Sequence, residues 1–483
     1  MKKLFILVSC VFVMNVFAQV EESEDGWAIN KYGVKVGTFP LKAEAHDNIL
    51  VLKNEEKGFK FWVDNRVQFD MANYHNLVNG RPPDNSISKL ENLPLEPVKP
   101  GGVSLRRVRM AFKAVIDEHW YGEVDLNFAN GVAQLQDAYI QYTGLPNFEF
   151  KAGNFKNDFS MEYTTTSRYI TFMERAMPIT AFSLGRRAGI EAQWQKYDWL
   201  RVSTGISWQF TDTWETRYNV EELNKWGREM GPNYAFKAVL MPWGSETYHG
   251  LHLGYNVMYR DARRTDDNFA DMDSYVGRGY NSFRYDSRNA TALNRTKYLD
   301  TGEEFGIKND WLQGYEIAGY KDGFRFQSEV ITCHAIKNEK AANQNTQFFY
   351  GWYAHTSYML FGGKHRYDVG QSEFTQPTRG RDWGDIEVMF RYDYLTLNTK
   401  DESIMGGSGQ NFTFGVVFHP NNNVKIAANY MISQNDRHAN ARGRAYVGKD
   451  INGNYTTNSN AVVANHPIGV SFNAIQTRIE INF

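Results

Sequence analysis

Arg107, Arg109 and Lys113 share one parity in a stretch whose alternate positions are Val108, Met110, Phe112 and Ala114. In an extended strand that spacing puts the cations on one face and the apolar side chains on the other. Such a row in a water-filled space can pass an anion stepwise, because arginine offers a flat fork of donors that matches phosphate oxygens and lysine a movable point charge. The next stretch sets Glu123, Asp125 and Asn127 against Val124, Leu126 and Phe128. The same arginines can therefore pair with Glu123 and Asp125 on a neighbouring strand, and both arrangements can hold in part. Lys151, Lys156, Arg168, Arg175, Arg186, Arg187 and Arg201 are further candidates for an ion pathway. Arg168 and Arg175 fall between strands, in a loop expected to fold inward.

No grouping here asks for catalysis. The eleven histidines are scattered without a metalloprotease-type pair, and no nucleophile-elbow spacing is present, so neither a metal nor a cofactor is implied. Beyond the first eighteen residues Cys333 is the only cysteine, which excludes an internal disulfide and any cysteine-cluster metal site. The formal charge of −2 argues against a nucleic-acid partner.

The elements that position these charges are strands. At the end of the chain Ile475, Thr477, Ile479, Ile481 and Phe483 alternate with Gln476, Arg478, Glu480 and Asn482. The same two-residue period begins at Phe59 and recurs in segments near 107–114, 123–128, 137–142, 200–209, 251–260, 324–333, 349–360, 386–395, 411–418 and 424–431. Charges at every second position cannot face lipid cheaply, so they face water inside a closed barrel. His75 to Gly102 holds five prolines and reads as a long loop. Arg260 to Asp310 and Asn435 to Asn465 read as external excursions, and 419–423 as a short turn of the periplasmic kind. At roughly 25–30 residues per strand and connection, Phe59 to Phe483 accommodates about 14 to 18 strands. A two-sheet sandwich shares the alternation, but one this long would need two domains, and no linker divides the segment.

The front of the chain supplies the route. Lys2 and Lys3 precede an apolar run from Leu4 to Val13, and Val16-Phe17-Ala18 fits a signal-peptidase site, so residues 1–18 read as an export signal cleaved before Gln19. Cleavage there removes two lysines and takes the formal charge from −2 to −4. Lipidation at Cys10 would leave too short an apolar region. Residues 19–58 carry weak strand signal at most, at Val34 to Phe39, and read as a periplasmic or barrel-mouth segment.

Several local sequences resemble the phosphate-selective porin family: SLRRVRMAFKA (104–114), LQDAYIQY (135–142), FKAGNFKNDFSMEYTTTSRYITFMERAMP (150–178), FSLGRRAGIEA (182–192), FFYGWYAHTSYMLFGGKHRY (348–367) and FRYDYLTLN (390–398). The segments at 150–178 and 348–367 are the most distinctive. The resemblance implies an all-β transmembrane antiparallel barrel of sixteen strands with inward-folded loops. It also implies a homotrimer in the outer-membrane lipid of a Gram-negative bacterium. Small inorganic anions such as phosphate or polyphosphate would diffuse passively past lumenal arginines and lysines. One departure stands out: where the family clusters constriction lysines, this chain reads SMEYTTTSRY after Phe159, with Glu162 in place. A weakly selective porin for other small polar solutes, and a structural barrel component of an outer-membrane complex, are the alternatives.

Overall fold

The computed structural model describes residues 27–29, 33–78, 101–129, 131–183, 185–208, 232–243, 248–261, 282–291, 293–294, 296–302, 304–305, 307–337, 346–399, 404–439, 448–456, 461–462 and 471–483. The expected export signal and its cleavage site lie outside these residues. Sixteen antiparallel strands close into one barrel. The first eight are β1 (Phe59–Val78), β2 (Gly101–Ile116), β3 (Trp120–Asn127), β4 (Gln134–Leu145), β5 (Phe148–Lys156), β6 (Arg186–Tyr197), β7 (Leu200–Ser207) and β8 (Asn233–Leu240). The others are β9 (His249–Asp261), β10 (Ile307–Lys321), β11 (Phe324–Lys337), β12 (Gln347–Met359), β13 (Asp385–Thr399), β14 (Ile404–His419), β15 (Val424–Asn435) and β16 (Ser471–Asn482). Terminal β16 returns to β1, with Ile475 opposite Asn73 and Ile481 opposite Val67. The expected loop at 75–102 is trimmed at both ends, because β1 runs to Val78 and β2 begins at Gly101, and its five prolines all fall between those strands.

Short turns predominate at one end, as at Asp322-Gly323 between paired Lys321 and Phe324, with residues 360–384 as a long connection among them, and longer connections predominate at the other end. In outer-membrane barrels the long connections are extracellular. The N-terminal segment is more ordered than its sequence signal. Lys42–His46 and Ile49–Asn54 form a hairpin whose second strand pairs with the start of β1. Asp47 and Asn48 occupy its turn at φ of +47° and +64°, a left-handed geometry that these two residue types tolerate. The tip seats on the 419–424 turn, where Asn423 donates to the Asp47 carbonyl at 2.6 Å.

The outward face of β16 is apolar and exposed at Ile475, Ile479 and Ile481, as its alternation requires. Its opposite face was expected to be wet, and here the structure differs: Gln476, Arg478 and Glu480 are buried. Their cover is residues 157–183, which leave β5 and fold into the lumen with two one-turn helices, α1 (Met161–Thr164) and α2 (Met177–Phe182). A second segment, within 282–302, also enters from the long-connection end. Along β11 the inward row changes character. It runs Arg325, Gln327 and Glu329 toward the short turns, then Ile331, Cys333 and Ala335 toward the outside, all buried. The outer row packs with Phe182, Tyr285, Tyr298, Leu299, Phe349 and Leu395 into an apolar core inside the barrel. Open space is left mainly beside β1–β7.

Replacing Ile475 by lysine should lower stability by about 2–4 kcal/mol, the cost of a cation on the lipid face near mid-bilayer. The measurement is the denaturant midpoint for refolding into lipid bilayers; an unchanged midpoint would remove that face from the lipid.

Candidate functional site

Two cavities lie beside that wall. An outer one of about 530 Å³, toward the long connections, is lined by Arg106, Arg107, Arg175, Arg288 and Lys297 among others. An inner one of about 390 Å³ is lined by Asp64, Arg66, Lys113, Lys151, Arg168, Arg201 and Glu373 among others. Both are also lined by Arg109, Lys156, Ser167 and Arg186, so these four stand where one cavity gives way to the other.

Two bulges in the wall put extra polar side chains at this place. The β1–β2 register shifts between Gln68↔Arg107 and Phe69↔Leu105, which lets the consecutive Arg106 and Arg107 both reach the lumen. The β3–β4 register shifts between Val124↔Ala138 and Leu126↔Leu135, which does the same for Gln136 and Asp137. A bulge inserts one residue and re-aims its neighbours, so strict alternation fails at both points. Gln136 lines the outer cavity and Asp137 the inner one.

The partners of the cations divide the cavities. At the inner cavity they are carboxylates. Lys113 meets Asp64 at 3.1 Å, Lys151 meets Glu191 at 3.5 Å and Arg201 meets Asp158 at 2.5 Å, while Arg168 pairs with Asp64. At the outer cavity several are neutral. Arg107 donates to the Gln68 side-chain oxygen at 2.6 Å. Lys156 donates to the carbonyls of Tyr163, Thr164 and Thr165 at 3.0–3.4 Å. Arg175 donates to the carbonyls of Glu162 and Thr165 at 2.8 and 2.7 Å. Counting lining side chains among the described residues, the outer cavity holds eight basic and two acidic groups, and the inner eight and seven.

Of the two arrangements open for the early arginines, each holds in part. Arg109 does pair with Asp125, at 3.2 Å, while Arg107 pairs with neither Glu123 nor Asp125. Arg186 grips Asp137 through two bonds of 2.9 and 2.7 Å. Arg187, read as an ion-pathway residue, lines neither cavity; it is buried and donates to the Trp208 carbonyl. Glu162 also lines neither cavity, so its carboxylate does not face the path. It lies buried, its backbone N–H donating to Glu329. Glu123, Asp125 and Asp137 bring carboxylate oxygens within 4.8 Å of one another, but Arg109 and Arg186 hold two of these groups and Lys113 lies 3.9 Å from the third.

Arg106, Gln136, Arg66, Ser167, Arg288 and Lys297 were not among the residues picked from sequence. For Arg106 and Gln136 a signal existed: both are polar at positions whose parity would face lipid. Arg106 and Arg478 converge on Glu174 of the inserted segment, at 2.9 and 2.8 Å. Burial pushes the Glu174 carboxyl up, yet these two guanidiniums outweigh it and hold the group well below the usual carboxylate range.

A closed sixteen-stranded barrel with adjoining charge-lined cavities in a partly filled lumen is a porin of the Gram-negative outer membrane, a channel rather than an enzyme. Residues 97–455 match the family described as phosphate-selective porin O and P, and the chain belongs to that family. It is 22% identical to Porin O of Pseudomonas aeruginosa over 417 residues, covering 82% of this chain and 87% of that one. An uncharacterized protein of Caulobacter vibrioides is 26% identical over 336 residues, 68% of this chain; the match spans 62% of that relative, under two thirds of its length. Among solved structures, OmpT of Vibrio cholerae aligns with a TM-score of 0.48 at 10% identity, covering 90% and 99% of the two chains. An anion-selective porin from Comamonas acidovorans aligns with a TM-score of 0.47 at 8% identity, covering 88% and 100%.

A pH dependence follows from Glu373, on the short-turn side of the inner cavity. Burial lifts its carboxyl to about 7, against the opposing pull of Lys156. The group is neutral below that pH and adds a negative charge above it. Anion preference in bilayer recordings should therefore fall as pH rises from about 6 to 8. Glu373→Gln should flatten the response, and an unaltered profile in that variant would assign the effect elsewhere.

Proposed function

We propose that the chain is a homotrimeric porin through which phosphate, and short phosphate polymers, cross the outer membrane passively. On this reading residues 1–18 are its export signal. Anions gather in the outer cavity and pass between Arg109, Lys156 and Arg186. The observation that carries this is the set of neutral partners at the outer cavity. A cation bonded to a carbonyl or amide oxygen keeps its whole charge, whereas one bonded to a carboxylate largely loses its far field. Arg107, Lys156 and Arg175 belong to the first group, and a low-dielectric wall focuses their field into the opening. Two forked guanidiniums and an ammonium at the narrow place can replace part of the hydration shell of a tetrahedral oxyanion.

Arg107→Gln is the cleanest test, since its partner Gln68 leaves no carboxylate uncovered when the charge goes. Together with Arg109→Gln it should lower anion preference under a salt gradient. It should also raise, severalfold, the phosphate concentration that halves chloride current. Wild-type values in both assays, with the barrel folded, would overturn the assignment, and a wild-type channel that prefers cations would overturn phosphate passage. A weakly selective pore would show anion preference without any phosphate block.

The trimer rests on family membership. Mass measurement in mild detergent should return three copies of the chain, and a monomer under those conditions would defeat it.

A further inference from the structure

The side-chain oxygen of Gln136 accepts from two guanidiniums at once: Arg109 Nη2 at 2.9 Å and Arg186 Nη1 at 3.2 Å. Those arginines are like-charged, and each is anchored on its far side by its own carboxylate, Asp125 and Asp137. One neutral oxygen thus holds two cations side by side where the outer cavity meets the inner one. With Oε1 taken by the arginines, the amide is fixed with its nitrogen as the remaining end. That Nε2 makes no hydrogen bond among the described residues, and Gln136 lines the outer cavity.

We infer that Gln136 is a specificity-determining residue of this pore. It sets the two guanidiniums as a pair and turns two N–H donors toward the passing anion. The inference rests on the reading that anions pass between Arg109 and Arg186. Donors without charge separate oxyanions from halides. Phosphate has several oxygen acceptors spread over a tetrahedron and can use forks and amide together, whereas chloride gains chiefly from the charge. A glutamate here would keep the arginine contacts but cancel charge and replace donors by an acceptor. Backbone geometry supports a fixed placement. The register shift that brings Gln136 inward is flanked by Gly153 (φ +135°) on β5, where an added Cβ would lie 2.3 Å from the Ala138 carbonyl. Asn154 on the same strand donates to the Gln136 carbonyl at 2.6 Å.

The test uses the full-length porin in planar bilayers, with inorganic phosphate as blocker of chloride current and a potassium chloride gradient for selectivity. Gln136→Leu removes bridge and donors while every charge stays, so anion preference should persist as the half-blocking phosphate concentration rises roughly tenfold, the worth of one to two hydrogen bonds. Gln136→Glu, nearly the same shape, should lose both phosphate block and anion preference. If the leucine variant fails to fold, the glutamate variant decides alone. Wild-type phosphate block in either folded variant would overturn the inference. A wild type that phosphate does not block would instead sink phosphate passage itself. Block relieved by Arg107→Gln and Arg109→Gln but untouched at Gln136 would defeat only the role given to this glutamine.

Discussion

A peptide folded inside a closed barrel must find donors for its carbonyls, because the strands around it have already spent their own backbone N–H groups on one another. Here arginine and lysine side chains supply them, from the wall and, at Arg175, from the inserted segment itself. Lys156 and Arg175 serve the carbonyls of 162–165, Arg478 serves Met173, Arg391 serves Glu174 and Lys425 serves Arg168. Each such bond joins a cation to a neutral oxygen; Arg478 and Arg391 also hold carboxylates, Asp70 and Asp393, whereas at Lys156 and Arg175 fastening the segment leaves positive charge behind. These two line the outer cavity, so part of what fastens the inserted segment also charges the space left beside it. Glu174 is an exception, a carboxylate set between Arg106 and Arg478, and it ties the middle of the inserted segment to both β2 and β16.

The position of the path follows from a second property of the wall. On β11 to β13 the inward rows turn apolar toward the outer end, through Ile331 and Cys333, Phe349, and Leu395 and Leu397. Water has little affinity for such a surface, and α2 together with the segment around Tyr285 and Tyr298 covers it. With that side of the barrel filled, the larger cavities lie on the opposite side, where β2 to β6 carry Arg107, Arg109, Gln136, Lys156 and Arg186. Contact between plug and wall is therefore both a source of stability and the reason the opening is off-axis.

Period-two alternation made the barrel legible: the faces of β2, β3, β7, β9 and β16 fall as Val108/Arg109, Val124/Asp125, Val202/Arg201, Val257/Met258 and Ile479/Arg478 require. Alternation reports only which side of a sheet a residue occupies. It cannot tell a lumenal side chain facing water from one under an inserted loop, and so Arg478 and Glu480 were misjudged as wet. Nor could it reveal the apolar outer half of β11, since Ile331 and Cys333 read there as an interruption of the polar row. Both bulges escaped for the same reason. At 106–107 and 136–137 two polar residues stand in succession, and a strict period assigns one of each pair to lipid. The energetic cost of a guanidinium or amide on the lipid face is the clue that the period must break there. The hairpin at 42–54 depends on a turn of Asp47 and Asn48 rather than on hydrophobic pattern, which left its strands faint.

A pore that only attracted its ion would be blocked by it, so the site must also let go. The two cavities differ in the way that release needs. On the proposed path an anion entering from outside meets Arg107 and Arg175, whose partners are neutral oxygens, beside Arg106 and Lys297, which are paired with Glu174 and Asp286, and its binding is favoured until it reaches Arg109, Lys156 and Arg186. Beyond them it meets Arg168, Lys113 and Arg201, each already on a carboxylate, and Glu123, Asp125, Asp137 and Glu191 alongside. The field there is close to balanced, so nothing holds the ion once it has passed the narrow place. Asp125 and Asp137 act on both sides of this step: they fix Arg109 and Arg186 in position, and they limit the net charge those arginines show to the inner cavity. On this reading attraction, positioning and release come from one set of hydrogen bonds and ion pairs, in which neutral partners give way to acidic ones along the proposed path.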